Sequence, residues 1–219
     1  MGIREKLWER QAFNGLVEGD YSRAEKYFLK ISRSRPGSPG TDYNLGLVRL
    51  AAGDFEGAEG FLLRDLERYG DSLRRFLTLG ELYYLWGRPD QASLRYGQAL
   101  EEAEKPEVLR LLRERMEKCA SPAACAGALK ARDRFQEGIA LQKNRDYPAA
   151  RDAFREAVEL DGTHYQAWNN LGCLYLDHLD DPEQAEACFT RAASYSDLPA
   201  IGMNLARIRN LRKKQDGTR

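Results

Sequence analysis

The amino-acid sequence predicts an all-α protein built from repeated helical hairpins. The first sign is a period, because three alanines that follow turns, Ala24, Ala58 and Ala92, lie 34 residues apart. The second sign is a helical spacing, in which apolar residues recur four and then three positions apart, as in Ala24, Phe28 and Ile31. Residues spaced in this way share one face of a helix. A repeat of this length that contains two helical patterns indicates stacked helical hairpins.

The regular period breaks once along the chain. The fourth alanine, Ala150, follows Ala92 by 58 residues, which is 24 more than one period, and a fifth copy follows at Ala185 with a longer turn. We therefore predict three repeats in 1–106, an off-register helical segment in 107–130, two repeats in 131–198, and a C-terminal capping helix with a basic tail in 199–219. Either the off-register segment seals the end of a three-repeat unit, or it is a degenerate repeat within one continuous array.

Twelve helices follow from this pattern. Two of their starts have the sequence of a capping box, in which side chains satisfy free amides of the first turn: Ser22 with Glu25, and Thr163 with Gln166. The apolar spacing and the turn residues place the helices at roughly 5–18, 21–34, 41–52, 55–69, 72–86, 89–103, 106–119, 122–144, 147–160, 164–178, 182–195 and 199–214.

The copies resemble the tetratricopeptide repeat. The fifth copy has most of the residues typical of this family, and these are Trp168, Leu171, Gly172, Tyr175, Ala185, Phe189 and Ala192. The first copy has four of them, at Trp8, Ala24, Phe28 and Pro36. The resemblance implies a right-handed superhelix of about five helical hairpins with extra capping helices. In the second copy Leu62 and Asp65 replace the usual aromatic residue and alanine, so we expect its second helix to pack loosely.

The resemblance also implies a protein-binding function without enzymatic activity. In such arrays the first helices line a concave surface that suits a peptide or helix of a partner protein. The predicted partner-binding residues on this surface are Phe13, Tyr43, Asn44, Leu47, Arg74, Glu81, Tyr84, Gln136, Asn169 and Asn170. Tyr43 and Tyr84 would supply apolar area together with a hydroxyl group. Alternatively, a capping helix of the chain itself occupies the groove.

One subfamily of these repeat proteins holds the C-terminal carboxylate of heat-shock chaperones. Its Lys/Asn pair, Asn, and Lys/Arg pair correspond here to Glu9 with Phe13, Asn44, and Arg74 with Thr78. Only Asn44 and Arg74 match, and an acidic Glu9 would repel a carboxylate where the subfamily has a cation. We therefore do not expect this clamp, whereas other acidic or apolar peptides stay open as ligands.

Composition bears on several other classes of function. The 34 basic and 34 acidic residues cancel, so no net field draws the molecule to nucleic acid or to an anionic membrane. The sequence has no apolar run of membrane-spanning length and no signal-like N-terminus, which predicts a soluble, cytoplasmic protein. We expect no small-molecule substrate, cofactor or metal: His164 is predicted to be a solvated cap residue, and His178 to lie in an exposed acidic turn rather than in a metal site.

The cysteines and the chain terminus leave one alternative function. Cys119, Cys125, Cys173 and Cys188 have no metal-ligand spacing, and we expect buried thiols rather than a Cys119–Cys125 bridge. A basic run ends the last predicted helix, and an acidic stretch occupies 177–186. If the basic run meets the acidic stretch of a second molecule, the protein is a self-associating scaffold that forms homo-oligomers through its terminal helices.

Overall fold

The computed structural model describes the backbone of residues 2–216 and the side chains of 2–16, 18–121, 123–124 and 126–211. This part of the chain contains twelve helices and no strand, which confirms the all-α prediction. Every helix boundary lies within two residues of its predicted position. The helices are α1 (Ile3–Glu18), α2 (Tyr21–Ser34), α3 (Thr41–Ala52), α4 (Phe55–Tyr69), α5 (Leu73–Leu85), α6 (Pro89–Glu101), α7 (Pro106–Cys119), α8 (Pro122–Lys143), α9 (Tyr147–Leu160), α10 (Tyr165–Asp177), α11 (Pro182–Ala193) and α12 (Pro199–Asp216).

The recurring Gly-Asp turn has a physical explanation in the backbone. Gly19 and Gly53 end the first helices of their hairpins with φ of 69° and 81°, a left-handed conformation that glycine adopts without steric cost. The aspartates that follow, Asp20 and Asp54, accept a hydrogen bond from the third amide of the next helix. The fourth turn has Arg145 in place of glycine, also at positive φ.

Both predicted capping boxes are wrong, although the helices start where expected. Asp20 caps α2 in place of Ser22, because its carboxylate accepts from the Arg23 amide. His164 caps α10 in place of Thr163, whose hydroxyl donates instead to Asp161 at 2.6 Å.

Within each hairpin a glycine of the first helix lies against a large side chain of the second. A Cβ atom on Gly172 would lie 2.6 Å from Cε1 of Phe189, and one on Gly80 would lie 2.5 Å from the ring of Tyr96. The helices therefore approach more closely than any residue other than glycine allows.

The second hairpin packs as tightly as the others, so the prediction of a loosely packed α4 is wrong. Leu62 is buried, and its Cγ would lie 2.6 Å from a Cβ atom on Gly46. Asp65 is also buried, and its carboxylate accepts a hydrogen bond from Nε of Arg75 at 2.7 Å. Leucine therefore fills the place of the usual aromatic ring, and an ion pair to α5 compensates the buried charge.

Two stacks of hairpins form the molecule. We call α1–α6 the first array and α8–α11 the second array. Helix α7 packs against α6 on one side and against α8 on the other. Helix α12 covers the far end of the second array, where Ile208 packs against Phe189 and Ala185.

Helix α8 is the longest, with 22 residues, and it crosses all three hairpins of the first array. Its Ala128 belongs to the core formed by the third hairpin and α7. One turn later, the guanidinium of Arg132 lies 5.1 Å from the Phe55 ring of the second hairpin. At its C-terminal end, the Lys143 ammonium donates to the carbonyl of Glu18 in the first hairpin. Helix α8 therefore runs along the first array and contacts the turns of its first and second hairpins.

Among the described thiols, Cys119 and Cys188 are buried and Cys173 is half-buried. Burial raises the pKa of Cys188 to about 12 and so keeps it protonated. A Cys119–Cys125 bridge lies outside the described residues, because they do not include the side chain of Cys125. In the same part of the chain, no helix combines the length and apolarity that crossing a bilayer would require.

Filling a glycine contact tests the packing of the hairpins. We expect Gly172→Leu to lower the free energy of unfolding by about 3 kcal/mol, because its side chain would overlap the Phe189 ring. Urea denaturation followed by circular dichroism measures the change. Gly202→Leu is the matched control, since a Cβ atom there meets nothing within 4 Å. Equal stability of the two variants would contradict the packing described here.

Candidate functional site

A cleft of about 330 Å³ lies between the two arrays. We call it the inter-array cleft. The first array contributes side chains from α1, α2, α3 and α5, and the second array contributes side chains from α8 and from the start of α10. Most of these side chains are apolar, namely Leu16, Leu47, Leu50, Ala51, Leu85, Phe135 and Ile139, with Tyr21 at one side. The polar groups of the lining are Glu81, Arg132, Gln136, His164 and Gln166.

A buried arginine on α7 fixes the position of one array relative to the other. Arg115 is 2% exposed. Its Nη2 donates to Oε1 of Glu81 on α5 at 3.3 Å, and its Nη1 lies 3.2 Å from Oδ2 of Asp161, the residue that ends α9. The guanidinium carbon also lies 4.1 Å from the centre of the Tyr84 ring. Helix α7 therefore joins the first array to the second, and Arg115 contacts both arrays.

Arg115 and Asp161 both keep their charges although both side chains are buried. Burial alone disfavours a charged guanidinium, but the carboxylates of Glu81 and Asp161 outweigh it and raise the pKa of Arg115. Burial also disfavours an ionised Asp161, but Arg115 and Lys118 hold the pKa of this carboxyl well below its usual range. The Lys118 ammonium and the Thr163 hydroxyl donate to the same carboxylate. The network is therefore internally neutral and hydrogen-bonded.

His164 lies in the wall of the cleft beside this network. Its Nδ1 accepts a hydrogen bond from the Ala167 amide at 3.3 Å, and its ring centre lies 4.7 Å from that of Phe135. Burial lowers the pKa of His164 to about 4, although the nearby carboxylate of Asp161 opposes this shift. The prediction of a solvated histidine is therefore wrong, because the side chain is only 8% exposed and neutral at pH 7.

The two tyrosines expected to face a partner are buried inside the chain. Tyr84 is 0% exposed, since Arg115 covers one face of its ring and Tyr96 packs edge-on at 6.3 Å. Tyr43 shares a hydrogen bond of 2.7 Å with the Thr78 hydroxyl, and the guanidinium of Arg74 covers its ring at 3.8 Å. Both rings belong to the hydrophobic core of the first array and not to the lining of the cleft. Contrary to the prediction, the structure therefore does not present Tyr43 and Tyr84 to a ligand.

Glu81 lines the cleft but is already engaged within the protein. Its Oε2 accepts from the Tyr96 hydroxyl at 2.9 Å, and its Oε1 accepts from Arg115 at 3.3 Å. Two other predicted residues, Leu47 and Gln136, also line the cleft. The structure thus brings together Leu47, Glu81 and Gln136 from the predicted set.

The other predicted residues lie outside the cleft lining. Phe13 is 43% exposed and packs edge-on against Phe28 at 5.3 Å. Asn44 lines a separate crevice of about 100 Å³ between α1, α2 and α3. Asn169 accepts a hydrogen bond from Asn204 of α12 at 3.0 Å and lies 3.5 Å from the Asn170 side-chain oxygen. The wall of the fifth repeat is therefore partly covered by the terminal helix.

Several residues of this region escaped the sequence-based prediction, Arg115 and Asp161 above all. The sequence does contain a signal for Arg115, because it falls three or four positions from Leu111, Leu112 and Cys119, all buried on one face of α7. A charged residue on an apolar stripe indicates a buried ion pair. Nothing in the sequence points to Asp161 as its partner, since the two are 46 positions apart.

His178 lies outside this region. It is exposed, and its ring stacks on Tyr147 with 3.7 Å between the ring centres. In the described part of the chain, no three histidine, cysteine or acidic side chains come together at metal-binding distance.

Comparison with known proteins gives a family match. A family model described as a tetratricopeptide repeat matches residues 16–65 and 135–199, which together are more than half of the chain. The matched segments fall in the first and second arrays.

Individual relatives are more distant. Subunit 3 of the anaphase-promoting complex from Schizosaccharomyces pombe is 31% identical over 85 residues, a match that covers 36% of this chain and only 13% of that protein. Among solved structures, a chain of the APC/C hetero-tetramer Cut9–Hcn1 matches this fold with a TM-score of 0.50 and 17% sequence identity. The match covers 93% of this chain and 42% of that chain. The TPR2AB domain of yeast Sti1 in complex with pHSP90 has a TM-score of 0.49 at 17% identity, over 99% and 87% of the two chains.

The buried histidine predicts a loss of stability in acid. The pKa of His164 is about 4 in the folded protein and 6.5 in the unfolded chain, so the unfolded chain binds more protons between these values. The free energy of unfolding should therefore fall as the pH falls from 6.5 to 4, by about 2–3 kcal/mol. Urea denaturation at a series of pH values measures this change.

A substitution separates the histidine from other acid effects. His164→Asn keeps a good helix cap but removes the titrating ring, so most of the fall between pH 6.5 and 4 should disappear. Asp161, whose pKa is depressed, loses its contribution only at lower pH. His178→Asn serves as the control and should keep the wild-type fall. If the stability of His164→Asn fell with pH as in the wild type, His164 would not be the group that causes the fall.

Proposed function

Because this chain belongs to the tetratricopeptide repeat family, we propose that it is a non-enzymatic adaptor or assembly chaperone that binds a peptide or helix of a partner protein. The observation that supports this proposal most is the inter-array cleft, which is open, mostly apolar and unfilled by the chain itself. The binding residues come from both arrays, with Leu47 on one wall and Phe135 and Ile139 on the other.

The apolar lining gives the cleft its binding energy. Leu16, Leu47 and Leu50 lie on successive first helices, opposite the α8 side chains. Each Leu- or Phe-sized side chain of a partner that fills the cleft would contribute about 1.5–3 kcal/mol through loss of water from apolar surface. The volume is near the lower end of the range of about 300–1,000 Å³ typical of ligand pockets. We therefore propose that a few side chains of the partner enter the cleft, while its remaining contacts lie on the rim.

Helix α8 narrows the groove that the repeats would otherwise leave open. A partner helix cannot lie along the full inner face of the first array while α8 crosses it. The proposed binding mode is therefore insertion of side chains between α8 and the first helices. It differs from the predicted mode, in which Tyr43 and Tyr84 make the contacts.

A second candidate function is a self-associating scaffold. The observation in its favour is an apolar strip on the outer side of α12, where Met203 and Leu211 are exposed beside a shallow depression that also includes Ala206 and Asn210. Helix α12 packs against α11 and ends the second array, so its outer side faces no helix of the described chain. A second copy of the protein would bury this strip.

A charge placed in the cleft should abolish partner binding. We expect Leu47→Lys to reduce capture of partner proteins about tenfold or more, because burial of an ammonium group opposes the apolar contacts. The measurement is affinity capture from the source cell with quantitative mass spectrometry. Leu47 is the appropriate position because it is half-buried at the cleft, whereas changes at Tyr43 or Tyr84 would remove core rings.

The same change away from the cleft provides the control. Leu94 is 61% exposed on the outer face of α6, so Leu94→Lys should retain the captured proteins. Circular dichroism establishes that both variants are folded. Equal capture by wild type and a folded Leu47→Lys would remove the cleft as the binding site.

The scaffold has its own test in light scattering over a dilution series. If α12 mediates self-association, the molar mass of the wild type rises with concentration and Met203→Glu prevents the rise. A monomeric mass at every dilution removes this candidate.

A further inference from the structure

The polar groups of the inter-array cleft have more free donors than free acceptors. Arg132 is the main example. Its Nε and Nη2 donate to the neighbouring Asp133 at 3.2 and 2.8 Å, but its Nη1 is buried without an acceptor among the described residues. A Cβ atom on Gly53 would lie 3.1 Å from this Nη1, so the guanidinium packs closely against the turn of the second hairpin. A buried donor without an acceptor favours any ligand that supplies one.

Two neighbouring groups add donors to the same cleft. Gln136 accepts from the Tyr21 hydroxyl at 3.3 Å through Oε1, and its amide NH2 has no acceptor in the described part of the chain. His164 accepts at Nδ1, so the neutral ring carries its proton on Nε2 and presents a donor there.

The single carboxylate of the lining does not balance these donors. Glu81 is already paired with Arg115 and hydrogen-bonded by Tyr96. Since the network of Glu81, Arg115, Asp161 and Lys118 is neutral by itself, Arg132 is the other charged group of the lining, and its partner Asp133 lies outside the lining. Its one ionic partner, Asp133, is well exposed to solvent and so binds it weakly.

We infer that the inter-array cleft selects an acidic, apolar peptide segment, in which a carboxylate adjoins two bulky apolar side chains and binds Arg132. The inference rests on the proposed function and adds the chemistry of the partner. The apolar side chains fill the space beside Leu47 and Leu50, while the carboxylate accepts from the guanidinium and from the Gln136 amide. Charge-assisted bonds of this kind are about twice as strong as neutral ones.

A basic segment fits the same cleft poorly. Its cation would approach Arg132, and Glu81 cannot compensate because it is already bonded to Arg115. Like charges at close range in a partly buried site reduce binding. The acid preference also differs from the carboxylate clamp considered above, whose matching residues here, Asn44 and Arg74, lie on first helices of the first array rather than on α8.

Three synthetic peptides test the inference on the full chain. They share the sequence fluorescein-Gly-Ser-X-Leu-X-Phe-Gly-Ser-amide, with X as Asp, Asn or Lys, and fluorescence anisotropy measures their dissociation constants. We expect the Asp peptide to bind about tenfold more tightly than the Lys peptide, with the Asn peptide between them. Arg132→Gln should reduce this ratio to about twofold.

A neighbouring arginine provides the matched control. Arg134 lies on the same helix and pairs with Glu137 and Glu156 away from the cleft, so Arg134→Gln should keep the wild-type preference. A preference that survives in Arg132→Gln, or equal binding of the three peptides, overturns the inference. If the three peptides bind equally but Leu47→Lys fails to capture partner proteins, the proposed function stands without the acid preference. If no peptide binds the wild type, the inference also falls, while partner capture still decides the proposed function.

Discussion

The arrangement of the molecule depends on the buried charge of Arg115. Its guanidinium lies between carboxylates of the two arrays, Glu81 and Asp161, and both Arg115 and Asp161 are only 2% exposed. Removing one partner of a buried pair costs about 3–5 kcal/mol, because the remaining charge is left without compensation. Apolar contacts alone would tolerate sliding of one stack on the other, whereas a directional ion pair permits one orientation. The off-register helix α7 therefore determines the angle between two otherwise ordinary arrays.

The cleft is a consequence of that angle. With α7 holding the third hairpin to the end of α9, helix α8 runs along the first array, where it contacts Tyr21 and Phe55 at the starts of α2 and α4. The apolar positions that line a concave groove in a single array here face a second wall. Leu47 and Ile139, which are 92 positions apart in sequence, thus share one lining. Any ligand of the cleft contacts two arrays and is sensitive to the geometry of α7.

Local features of the fold could be read from the sequence, because they depend on residues a few positions apart. The 34-residue period, the Gly-Asp turns and the helix boundaries are of this kind. The site was less predictable, since the face on which Tyr84 lies does not reveal that Arg115 covers it from another helix. The same holds for His164, whose burial depends on α8. Position within a repeat predicts the direction of a side chain, whereas long-range contacts determine whether that direction leads to solvent.

The length of α8 also limits how this gene product can vary. The stretch of α8 from Ala128, at the third hairpin, to Lys143, at the first, is 15 residues long and rises about 22 Å. Repeat arrays commonly gain or lose whole units, because each unit contacts only its neighbours. Here an added hairpin would leave Lys143 one unit short of Glu18, and a deleted one would carry the last turn of α8 past the end of the first array. The number of hairpins in the first array and the length of α8 would therefore have to change together.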